Sequence, residues 1–183
     1  MILPGILSSQ ISGHLFTLTG SYDALATVTV PSGGASSITF SAIPQTGYSH
    51  LELRIMNLGS SSAQDLRCRF NGDTGSNYNV HYMYGNGSSA AAGSTGSNTY
   101  TFAGLTSIST SAPEVSIVDI LDYTNVNKNK VTRTLAGTDG NGSGYAFLYS
   151  GLWLNTAAIT QIDLSPNGGS FNQYSQFSLY GIK

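Results

Sequence analysis

Three histidines, one cysteine and nine carboxylates are what this chain offers for catalysis or metal binding. His14, His50 and His81 lie far apart, and no two of them stand in a His-x-x-x-His spacing that would bring two ligands to one zinc ion. His50 opens an extended run and His81 lies among tyrosines, so both read as structural or surface imidazoles. Cys68 falls on the inward parity of the run from Asp65 to Phe70 and has no base near it in sequence. It reads as a small buried hydrophobe and not a nucleophile. Asp119 and Asp122 stand three apart; in a strand that odd spacing sends them to opposite faces, whereas a glycosidase sets two carboxyls across one bond. Glu52 and Glu114 are the only glutamates. No catalysis and no cofactor are expected, a polysaccharide depolymerase being the competing enzyme class.

Two Asn/Asp/Gly stretches, 71–77 and 138–141, carry oxygen ligands of the kind calcium takes, with Asp73 and Asp139 as their carboxyls. Neither has EF-hand spacing. Asn, Asp and Gly also favour turns, because they tolerate left-handed backbone and cap nearby amides, so metal binding is not expected. Phosphate loops and dinucleotide fingerprints are missing from the sequence. The aromatics say more. Tyr78, Tyr82 and Tyr84 precede a Gly/Ser/Ala stretch at 85–96, and Tyr145, Tyr149 and Trp153 follow a glycine-rich one at 137–144. A ring with an apolar face and a polar tip suits a sugar or a protein partner. Tyr82, Tyr84, Tyr145 and Trp153 are therefore the candidate contacts to glycan or partner; the alternative is that such rings fill the core and a subunit interface.

Short β-like runs broken by Gly, Ser, Asn and Pro must position these groups. His50 to Asn57 alternates Leu51, Leu53 and Ile55 against Glu52, Arg54 and Met56. The Asp65 run alternates Leu66, Cys68 and Phe70 against Arg67 and Arg69, and period two marks a half-buried antiparallel strand. Asn71-Gly72 after it signals a hairpin. Further strands are expected at 27–30, 37–43, 78–84, 99–105, 115–122, 130–135, 145–149, 159–164 and 177–182. Flexible loops are expected at 85–96 and 137–144, with at most a helical turn or two around 152–158. The chain is thus read as all-β, an antiparallel β-sandwich of jelly-roll type whose long loops cross between sheets.

Composition sets the class of partner. A length of 183 residues fits one domain with a short appended arm. Gly, Ser, Thr and Asn make up 80 residues while only 9% are charged, so solubility rests on neutral polar groups. A net charge of −2 gives no basic footprint for nucleic acid, and one cysteine gives no intrachain disulfide. No apolar run is long enough for membrane insertion. Residues 1–20 carry no charged side chain and lack the basic start of a signal peptide. Their apolar residues Ile2, Leu3, Ile6, Leu7, Ile11, Leu15 and Phe16 would be an aggregation liability if exposed. Residues 1–20 are expected to be an assembly arm that orders on a neighbour, ahead of a β-sandwich domain at 21–183.

Five stretches carry a family likeness: Ile38-Thr39-Phe40-Ser41-Ala42-Ile43-Pro44-Gln45-Thr46 with His50-Leu51-Glu52-Leu53-Arg54; Arg69-Phe70-Asn71-Gly72-Asp73-Thr74-Gly75-Ser76-Asn77-Tyr78; Ile120-Leu121-Asp122-Tyr123 ahead of Asn127-Lys128-Asn129-Lys130; Gly151-Leu152-Trp153 with Asn155-Thr156-Ala157-Ala158-Ile159; and the ending Phe177-Ser178-Leu179-Tyr180-Gly181-Ile182-Lys183. Together they resemble a family of tailed-bacteriophage virion structural proteins over residues 24–183. The resemblance implies a virion component made in host cytoplasm, attached to other virion proteins through the arm and assembled as a homotrimer. A tail-fibre-like member would bind host-surface glycan, whereas a capsid-decoration member, a cement or head-fibre protein, would stabilise the head. No catalytic residue carries over from the family.

Overall fold

The computed structural model describes residues 20–59, 64–106 and 112–183. Residues 1–19, which hold His14 and the apolar residues of the expected arm, lie outside them. Among the described residues twelve strands form: β1 (Tyr22–Thr29), β2 (Ile38–Phe40), β3 (His50–Asn57), β4 (Asp65–Phe70), β5 (Tyr78–Gly85), β6 (Ala90–Asn98), β7 (Thr101–Leu105), β8 (Glu114–Leu121), β9 (Lys130–Asp139), β10 (Gly144–Trp153), β11 (Ile162–Pro166) and β12 (Gln176–Ile182). They make an antiparallel β-sandwich of an eight-stranded sheet, β1-β12-β3-β8-β9-β10-β5-β6, and a four-stranded sheet, β2-β11-β4-β7. The pairings β1·β12, β2·β11, β3·β8 and β4·β7 are nested, as in one long ribbon folded over on itself. The β5–β6 hairpin stands at the tip of that ribbon, and the β9–β10 hairpin is inserted between β8 and β11.

The alternation of β3 and β4 is realised. Leu51, Leu53 and Ile55 face Leu66, Cys68 and Phe70 across the sandwich, all within 3% of full burial, joined by Ile120, Trp153, Phe177 and Leu179. Asn71-Gly72 forms a tight turn with both residues at positive φ and the Asp73 amide donating to the Phe70 carbonyl at 2.9 Å. It does not make a hairpin, because β4 and β5 enter different sheets. The Asn71 amide oxygen instead accepts the backbone N–H groups of Thr160 and Gln161, tying this corner to the segment before β11.

Three other expectations are corrected. The stretch 85–96 is not a loop: a short turn at 86–89, held by Ser88 and Ser89 N–H groups on the Asn86 side chain, leads straight into β6. Alanine and glycine are poor strand formers, but β6 is an edge strand whose pairing with β5 supplies the order. The stretch 137–144 is half strand, its turn confined to 140–143 between β9 and β10. The helical turn around 152–158 does not form, since Leu152 and Trp153 finish β10 and the Leu154 N–H donates to the Asn77 carbonyl.

Polarity inverts along the large sheet. In β3 the inward residues are Leu51, Leu53 and Ile55, with Asn57 at the end; in β9 they are Lys130, Thr132, Thr134, Ala136 and Thr138, while Val131 and Leu135 point out to solvent. Strand β7 crosses this inner seam at close range. A Cβ on Gly151 would come within 2.1 Å of the Thr101 hydroxyl and 2.3 Å of the Thr132 hydroxyl, so only small side chains fit between the strands. Thr134 donates to the Phe102 carbonyl, yet the hydroxyls of Thr101, Ser116, Thr132 and Thr138 are buried without a hydrogen-bond partner among the described residues. Glu114, at one end of the seam, accepts from the Asn57 side chain and the Leu105 amide, and burial pushes its carboxyl well above the ordinary carboxylate range. Lys130 at the other end is fully buried with its ammonium on the carbonyls of Asn125, Lys128 and Thr156.

Candidate functional site

Strands β9, β10, β5 and β6 form a wing of the large sheet, with β7 of the small sheet packed against β9, β10 and β5, and alternate residues of β5 and β10 place their rings on its inner face. Tyr145, Phe147 and Tyr149 follow one another on β10, with Phe147 and Tyr149 stacked at 5.1 Å and 3° between planes. Tyr84 lies 5.0 Å from Phe147 and 6.3 Å from Tyr145, and Tyr82 lies 6.4 Å from Tyr149. Phe102 and Tyr100 continue the strip toward the small sheet, where the Arg67 guanidinium sits 4.4 Å over the Tyr100 ring. Gly93 of β6 makes room for this arrangement, since a Cβ there would meet the Tyr82 ring at 2.7–2.8 Å.

The strip is graded in exposure. Tyr149 is buried, which raises its phenol pKa, whereas Tyr82, Tyr84, Tyr145 and Phe147 are half-buried and keep an open side. At the tip of the wing the turns 86–89 and 140–143 come together around an open cleft of about 760 Å³. Its lining includes Tyr145, Asn86, Thr138 and Ser143 with several backbone glycines, and one carboxyl, that of Asp139. Asp139 already accepts the Asn141 N–H at 2.8 Å.

Of the expected contact residues, Tyr82, Tyr84 and Tyr145 fall in one cluster. Trp153 does not join them: it is 1% exposed, packs on Phe70 and Tyr78, and donates its indole N–H to Asp73 at 2.7 Å. Asp73 also accepts from the Gly75 backbone N–H and the Asn77 side-chain amide. Desolvation opposes its charge, but these hydrogen bonds outweigh it and lower the carboxyl pKa. Asp73 and Asp139 are thus turn-forming carboxylates, and among the described residues no group of three His, Cys, Asp or Glu side chains is placed to hold a metal ion. Phe147, Phe102 and Tyr100 escaped the sequence reading. Phe147 could have been found, because it shares the parity of Tyr145 and Tyr149.

The acids are dispersed. Asp119 pairs with Arg133 at 2.9 Å on the outer face of the large sheet, and Asp122 pairs with Lys128 and lies 3.5 Å from His50. Glu52 accepts from Arg54 on the outer face, opposite to the side on which Glu114 is buried. His81 stands exposed on the outer face of β5. Burial raises the Cys68 thiol pKa far above the usual range. No protein-family model, no curated protein and no solved structure matches the chain.

Proposed function

We propose that this chain is a non-catalytic virion structural protein that presents a glycan-binding surface to the host, the tail-fibre-like role of the resemblance. The observation that carries the proposal is the cleft at the wing tip, walled by Tyr145 and backed by Tyr84 and Phe147. Its volume falls within the range of small-ligand sites, and its lining is neutral apart from Asp139. Hydroxyl and amide groups exchange hydrogen bonds with a sugar without the cost of stripping ions of water, and the tyrosine ring offers an apolar face for stacking. The nested pairings β1·β12, β2·β11, β3·β8 and β4·β7 support reading the sandwich as a jelly roll with two added hairpins, an architecture shared by capsid and lectin domains. The dispersal of the carboxylates supports binding without hydrolysis.

The test is binding to purified host-envelope polysaccharide, followed by surface plasmon resonance and by an assay for new reducing ends. Saturable binding is expected, weakened tenfold or more by Tyr145→Ala and Tyr84→Ala, with no new reducing ends. Release of reducing ends at a steady rate would replace binding by depolymerisation. Localisation by cryo-EM on intact particles addresses position: density on the capsid and none on the tail would favour decoration.

A further inference from the structure

We infer that the outer face of the eight-stranded sheet is covered by a second copy of this chain, related to the first by a twofold axis along the strands between β8 and β9. Nine of the twelve large apolar side chains exposed among the described residues lie on this face. The register aligns Ile117, Leu135, Leu148 and Met83 in one row across β8, β9, β10 and β5. Leu135 is 61% exposed, a value more usual for a lysine at the centre of a sheet, while the inward neighbours Thr134 and Ala136 are covered. The outer face of β8 and β9 therefore carries the residue types of a sandwich interior, and its rows match the geometry by which one sheet packs on another.

Size and charge select the occupant. Eight strands about 4.8 Å apart and a length of about 20 Å give a face of about 770 Å², close to the ~800 Å² per partner of a standard stable interface. Strands β8 and β9 are fourth and fifth of the eight, so an axis between them superposes the two sheets over their full width. The next row of the register runs Glu52, Asp119, Arg133, Ser150 and His81, acids on one side of that axis and bases on the other. A copy turned about the axis lays its Arg133 over Asp119 and its Leu135 over Ile117. The surface is complementary to itself, as an isologous contact requires. Such a pair stands in place of the homotrimer expected from the resemblance.

The full-length chain is examined by sedimentation velocity and mass photometry from nanomolar to micromolar concentration, with circular dichroism as the check on folding. Twice the chain mass of 19.1 kDa is expected. Leu135→Glu and Arg133→Asp should each weaken association tenfold or more with an unchanged spectrum. The double exchange Asp119→Arg with Arg133→Asp should restore it, because the rotated copy again meets opposite charge. A monomer, a trimer, or a pair that survives both single substitutions overturns the inference. So does a wild-type monomer that associates only when residues 1–19 are deleted, since the arm would then be the cover. Leu135 and Arg133 do not line the wing-tip cleft, but Val115 belongs to both the cleft and the covered face, so glycan binding is measured on the unpaired variants as well as on the wild type.

Discussion

Strands β3 and β9 lie two places apart in one sheet and bury opposite kinds of face. β3 hides Leu51, Leu53 and Ile55 under the small sheet and shows Arg54 and Met56; β9 hides Lys130 and three threonines and shows Val131 and Leu135. The cause is what lies opposite. β3 meets another layer of side chains, which calls for bulk, whereas β9 is crossed by the β7 backbone, which leaves room only for small groups. Period two identifies a strand, but which parity is inside depends on the cover, and the cover is a tertiary fact.

The largest effect should come from β3. Leu53 is fully buried in the main cluster, so Leu53→Ala removes transfer energy and leaves a cavity, a loss of about 2–5 kcal/mol in urea unfolding. A loss below about 1 kcal/mol would mean that β3 is not the core strand and that the contrast with β9 is wrongly drawn.

This contrast explains how much could be seen beforehand. The all-β class, most strand positions and the inward parity of β3 and β4 were legible, because each is written in a local period of two over residues of ordinary strand propensity. Strand β6 was not, because Ala90 to Asn98 has neither period nor propensity and takes its order from pairing with β5. The Asn71-Gly72 turn was legible as a turn but not as a corner, since turn chemistry does not encode which sheet receives the next strand. In the candidate site Tyr82, Tyr84 and Tyr145 were picked out by their nearness to glycine-rich turns. Trp153 carried the same signal and lies in the core, because Asp73, eighty residues before it, captures its indole N–H.

A smaller effect of opposite sign is expected on the inner side of β9. The Thr132 hydroxyl is buried without a partner among the described residues, so its dehydration is uncompensated. Thr132→Val keeps the β-branched shape, removes the orphan oxygen and should stabilise the chain by about 1 kcal/mol. Destabilisation of that size would show that a bound water or the close approach of Thr101 uses the hydroxyl, and the seam would then be a polar network and not a steric compromise.

The smallest effect on folding should come from the outer side of the same strand. Leu135→Ser removes an apolar group that the single chain leaves mostly in water, so there is little burial to lose. Serine also has lower strand propensity than leucine, which works slightly against the variant. At nanomolar concentration, where copies are apart, the unfolding free energy should change by no more than about 0.5 kcal/mol, as at other exposed positions. At micromolar concentration the wild type gains apparent stability by mass action from pairing, and the variant should not. The two chains should therefore have nearly equal melting temperatures when dilute and diverge as concentration rises. A gap that is large when dilute and constant with concentration would place Leu135 in the folded core of the single chain, and the inversion between β3 and β9 would lose its meaning as an interface.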